Sequence, residues 1–148
     1  MSSVYPPIVP GFQPFNAYVY SFNIHKQPIK DIETLRKEGE FAALSQFYAF
    51  SDGDSEAAVI QFINDHPFLL NILFEAPRHI FSIFGRNVPL YLELHHDPEE
   101  SWDELFIVIK TGYSAEKAIN LENRLVEEWF LDRIKETKGK LNIMEEPL

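Results

Sequence analysis

Within twelve positions, Glu93 to Glu104, the chain sets Glu93, His95, His96, Asp97, Glu99, Glu100, Asp103 and Glu104 with no lysine or arginine among them. Imidazole nitrogens and carboxylate oxygens are the donors a protein offers a divalent cation, and a cation so held lowers the pKa of a bound water enough for hydrolysis near neutral pH. His95, His96, Asp97 and Asp103 are therefore the candidate metal ligands, and a metal-dependent hydrolase is one functional reading. The spacing works against it. Adjacent residues of a strand point to opposite faces, so one imidazole can join Glu93, or Asp97 and Asp103 at a hairpin mouth, but the two cannot simply converge. Solvated acids at a hairpin turn account for the same residues without any ligand, and no catalytic residue is assigned.

Other chemistry-bearing groups are sparser. Arg78, His79 and Arg86 can receive an anion, although surface ion pairing is the ordinary role of such arginines and is worth at most about 1 kcal/mol. Asn64, Asp65 and His66 precede Pro67 and suit a turn with local side-chain hydrogen bonds. The sequence has no cysteine, so thiolate chemistry and Cys-ligated zinc are excluded. No two of the glycines lie close enough to cradle a phosphate, and neither a glycine-flanked serine nor an HExxH helix occurs. No cofactor is expected.

A second kind of feature is apolar. Residues 1–30 interleave Pro6, Pro7, Pro10, Pro14 and Pro28 with Tyr5, Phe12, Phe15, Tyr18, Tyr20 and Phe22. Proline opposes helix there, and so many rings imply an extended arm lying on a surface, of its own domain or of a second copy. Tyr18, Tyr20, Phe22 and Ile24 share one strand parity. Later, Trp129 and Phe130 fit the apolar stripe of a long helix while Leu131 points away from it. Tyr18, Tyr20, Phe22 and Leu131 are thus the candidate interaction residues, because contiguous exposed apolar area marks an interface.

The elements that must position these groups change period midway. Ile32, Leu35, Phe41, Leu44, Phe47 and Tyr48 predict a helix over 31–48, broken near Gly39. Asp54 or Ser55 caps a second helix that ends before Pro67. Phe68 to Phe74 is apolar nearly all round and belongs in the core, and Pro77 starts a further helix through Phe84, with Gly85 as its stop. Leu90, Leu92 and Leu94 then alternate with polar residues as a strand does. After the turn DPEESWD, Leu105 to Ile109 is apolar on both parities, which predicts a central strand covered on both faces. Ser114 caps a long helix to Lys138 with Ala118, Ile119, Leu121, Leu125, Val126, Trp129, Phe130 and Ile134 in its stripe. Gly139 stops it before a last strand over 140–146.

From about Asp65 onward the pieces HPFLLNILFEA, LYLELHHDPEESWDELFIVIKT, SAEKAINLENRLVEEWFLD and GKLNI resemble a family of small uncharacterised bacterial proteins, cyanobacterial ones especially. The resemblance implies a helical N-terminal half joined to a strand–strand–helix–strand unit, with no activity attached. It also implies small cytosolic proteins of the kind encoded beside toxin-like partners. His95, His96 and the long Pro-rich arm depart from the family's usual pattern.

The expected fold is α+β, one domain over 1–148, with an arm over 1–30, a helical part over 31–85 and a β-β-α-β part over 86–148 carrying a small, mainly antiparallel sheet. A hydrophobic share of 45% suffices for one core, and a formal charge of −10 repels nucleic acid and anionic lipid. The longest apolar run is far short of the roughly 20 residues a membrane span needs, and the N-terminus lacks a basic start, so a cytoplasmic location is expected. The reading these features favour is a non-enzymatic interaction protein, an acidic partner or antitoxin-like regulator of another protein, with self-association as a homodimer compatible with it.

Overall fold

The computed structural model describes residues 31–148, so Tyr18, Tyr20, Phe22 and the rest of the expected arm lie outside the described residues. The chain divides into two compact units, one ending at Arg36 and one spanning Lys37–Leu148. In the first, Asp31 Oδ1 accepts the Thr34 N–H at 2.7 Å and Arg36 pairs with Glu33. Helix α1 (Ile32–Leu44) is continuous past Gly39, contrary to the expected break, since glycine lowers helix stability by only about 1 kcal/mol.

The second unit is α+β. After α1 come β1 (Tyr48–Ala49), α2 (Gly53–Asp65), a 3₁₀ turn (Pro67–Leu69), α3 (Leu70–Phe84), β2 (Leu90–Asp97) and β3 (Trp102–Thr111). Helix α4 (Ala115–Leu125) leads through a π-helical segment (Val126–Phe130), a single turn α5 (Leu131–Arg133) and a 3₁₀ turn (Ile134–Thr137) into β4 (Leu141–Pro147). Asp52 rather than Asp54 or Ser55 caps α2, its Oδ1 accepting the Ser55 N–H at 2.7 Å. Ser114 caps α4 as its position predicts. Gly85 and Gly139 hold positive φ at the two helix exits that the sequence marks.

The strands run in the order β1-β2-β3-β4, with β2 and β3 antiparallel and both outer pairings parallel. The sheet is therefore mixed, not mainly antiparallel. Each parallel pairing spans a helical crossover, which is what a strand–helix–strand connection produces. The helical half of the chain supplies one such crossover, between β1 and β2, and the two-residue β1 is the element the sequence pattern does not reveal.

Register puts Leu90, Leu92 and Leu94 opposite Ile109, Ile107 and Leu105, with Leu141 and Ile143 alongside. These residues and Tyr48 share one face, and every strand residue of the hydrophobic core comes from it. Val59, Phe62, Leu73, Ile80, Leu125 and Phe130 close the core from the helices. β3 is interior, as its apolar run predicts, but helices cover only one of its faces among the described residues. On the other face Val108 is buried outside the core, beside Tyr91 and Met144 in the register.

Pro77 does not start a helix but sits inside α3. It lacks the N–H that would bond the carbonyl four residues back, that of Leu73. The buried Tyr48 hydroxyl takes that place, donating to the Leu73 oxygen at 2.6 Å. The expected long helix likewise departs from regularity. The π-helical segment adds a residue to the turn, which shifts the residues after it round the axis: Trp129 and Phe130 are buried as the stripe predicts, whereas Ile134, beyond the segment, is exposed. Ile119, before it, is exposed as well, contrary to its place in the stripe. No single helix among the described residues is long and apolar enough to cross a membrane, and Gly53–Asp65 with Pro67–Phe84 reaches that length only across a bend of 97°.

Candidate functional site

The β2–β3 hairpin fixes the positions of the acidic and imidazole groups. Asp97 pairs with Trp102 at its mouth, and Asp97 Oδ1 accepts the Glu99 N–H at 2.9 Å, folding the four-residue turn with Ser101 at positive φ. Asp97 is thus occupied by the turn itself. His95 and His96 leave on opposite faces. His95 stacks on Phe106 with ring centroids 4.4 Å apart and approaches Glu93 Oε1 at 3.2 Å, on the face away from the helices. His96 Nδ1 hydrogen-bonds the Asp103 carboxylate on the helix-covered side, where both border an open hollow with Asp54, Ser55, Ala58 and Leu94.

The expected four-ligand set therefore splits, with His96 and Asp103 together and His95 and Asp97 each engaged elsewhere. No group of three or more His, Cys, Asp or Glu side chains suited to a metal forms among the described residues. The pairs that do form are exposed, the His96 side chain at 61% and Asp103 at 44%.

A tighter polar cluster lies where α3 meets the π-helical segment. Arg133 donates from Nε to Glu75 Oε1 at 2.7 Å and from Nη2 to Oε2 at 2.9 Å, and Trp129 Nε1–H donates to the same Oε1 at 2.8 Å. The two-pronged guanidinium, with Trp129 beside it, holds the Glu75 carboxyl down at about 2, since each donor favours the ionised form. His79 stacks on Trp129 at 4.9 Å, and burial together with the nearby Arg78 lowers its pKa. Arg78 reaches Glu75 only at 3.9 Å. The carboxylate is partnered by three N–H groups, and the cluster ties α3 to the π-helical segment and α5.

Sequence reasoning missed this cluster because Glu75 and Arg133 stand 58 positions apart with no local pattern linking them. Trp129 and Phe130 read as ordinary members of the helix's apolar stripe, so they gave no local signal of it. Leu131, just beyond, is 56% exposed, and Ile134, one turn on, is 46% exposed.

On the sheet face that no helix covers among the described residues, half-buried Tyr91, Phe106 and Met144 surround the buried Val108. Lys110 sits 5.1 Å from the Tyr91 ring centroid and 3.5 Å from Glu146, closing the face at one end with charge. No protein family, curated protein or solved structure matches the chain.

Proposed function

We propose that the protein works by holding another protein, as an acidic non-enzymatic interaction partner. The observation that carries this reading is the second sheet face, where Tyr91, Phe106, Val108 and Met144 make an apolar ground that no described helix covers. Rings and methionine ringed by charge are the make-up of protein-binding surfaces. Leu131 and Ile134 add exposed apolar area one turn apart. A net charge of −10 speeds and selects encounter with a basic partner and opposes nucleic acid. The alternative, a metal-dependent hydrolase, loses support because its ligands divide between two faces.

The test is capture from the native host at moderate salt with tagged full-length protein, beside a Phe106→Asp variant shown by circular dichroism to be folded. A stoichiometric protein recovered by the first and not the second is expected. A monomer that recovers nothing, or the same protein recovered equally by both, overturns the reading.

A further inference from the structure

The two edges of the sheet differ in a way that decides how a partner can be taken. Along β4, the Leu105 N–H bonds the Lys140 carbonyl and the Leu148 N–H bonds the Thr111 carbonyl, so even-numbered residues of β4 face β3 and odd-numbered ones face outward. Of those outward positions, Ile143 gives its N–H to Asn142 Oδ1 at 2.8 Å, Pro147 has none to give, and the Glu145 N–H faces the Glu122 carboxylate. From Ile143 onward this edge is thus closed by side chains of β4 and α4, the way natural sheets refuse an added strand.

The opposite edge is left open. β1 pairs only with Leu90 and Tyr91, so from Leu92 to Asp97 no described strand lies beside β2. The Lys110 N–H bonds the Pro89 carbonyl, so odd positions of β2 exchange hydrogen bonds with β3 and the backbone of Leu94 and His96 turns outward. Neither N–H has a partner among the described residues. Beside them lies an open hollow of about 360 Å³, bounded by Asp54, Ser55 and Ala58 at the start of α2 and by Leu94, His96 and Asp103. A strand laid along β2 at the usual spacing of about 4.8 Å would run between that edge and α2.

We infer that the outer edge of β2, from Leu94 to Asp97, accepts an extended, basic segment of a partner protein as an added strand. This rests on the reading that the chain acts by binding a protein. Main-chain hydrogen bonds would supply affinity, and the alternate side chains of the segment would enter the hollow. The sign of the rim selects the occupant. Asp54 lines the hollow from the first turn of α2, with Glu56 in the same turn and Asp52 at the N-cap, and Asp103 lines it from the hairpin; together these acids outweigh the roughly half positive charge of the helix N-terminus. A second copy brought edge to edge would set acid against acid, which disfavours self-pairing.

The experiment uses the ¹⁵N-labelled full-length chain with a capped peptide alternating lysine and valine, and with its glutamate–valine counterpart. Amide exchange at Leu94 and His96 is expected to slow at least tenfold with the lysine peptide and to stay unchanged with the other. His96→Pro removes an outward N–H that serves no ladder bond, and it should weaken the lysine peptide tenfold or more; Asp54→Lys, which leaves the Asp52 cap intact, should weaken it several-fold. The inference fails if the peptide does not bind, if it binds while those two amides exchange as before, or if they are already protected in a dimer seen by light scattering. Such a failure leaves the Phe106→Asp capture result standing, so the two conclusions are separable.

Discussion

Around α3 the polar groups are few, partly buried and converge on one carboxylate, whereas at the β2–β3 hairpin they are many and exposed and meet in pairs that water can replace. Glu75 and Asp103 are both carboxylates bonded to a cationic or imidazole side chain, yet only Glu75 has its acceptor sites taken by three N–H groups from side chains fixed by the core. The hairpin holds more groups able to do chemistry, and it focuses none of them. Chemical crowding in sequence is therefore no guide to a site; convergence requires residues from separate elements held on one side of a packed layer.

The largest effect should come from the most enclosed contact. Tyr48→Phe leaves the Leu73 carbonyl buried with neither the proline N–H nor a hydroxyl, and should cost about 1–3 kcal/mol in urea unfolding. Pro77→Ala returns an N–H to that carbonyl. In the double variant the Tyr48→Phe penalty should shrink by about 0.5 kcal/mol or more, a coupling that independent sites would not show.

That contact also marks the limit of what was legible beforehand. Periodicity located α2, β2, β3 and β4, and the residues Gly85, Gly139 and Ser114 set the ends of their helices, because those signals are local. Proline at 77 reads locally as a helix start, and only Tyr48, from a two-residue strand, makes it tolerable inside α3. The π-helical turn is similar: its reward is the seating of Trp129 against Glu75 of α3, which no window of the sequence contains. Parallel pairing of β1 with β2 escaped notice for the same reason. At the hairpin the splitting of His95 from His96 followed from strand alternation alone, whereas the pairing of His96 with Asp103 depended on the register.

The Glu75 cluster should respond to acid. Its carboxyl is held at about 2, below the ordinary carboxylate value, so the contribution to stability is complete above the unfolded-state pKa near 4.5 and fades as pH falls toward 2. Glu75→Gln should therefore be less stable than the parent at pH 7, and the gap between their urea midpoints should narrow steadily from pH 4.5 to pH 2. A gap that stays constant with pH would mean that the ionised form is not what Arg133 and Trp129 favour.

The hairpin should yield the smallest effects. His96→Ala and Asp103→Asn each remove one exposed contact, and the unfolding free energy should move by no more than about 0.5 kcal/mol. The sharper measurement adds zinc to the full-length chain. A ligand present at a hundred times its dissociation constant stabilises the folded form by about 2.7 kcal/mol, an increment that thermal unfolding resolves easily. With His95 against Phe106, Asp97 bonded into its own turn, only His96 and Asp103 of the four candidate ligands facing the same hollow, and no three donors gathered there with Asp54, the unfolding temperature should not rise at millimolar zinc. A rise abolished by His96→Ala would mean that the hairpin rearranges to gather the donors its backbone now separates, and the contrast with the Glu75 cluster would then be one of occupancy rather than of construction.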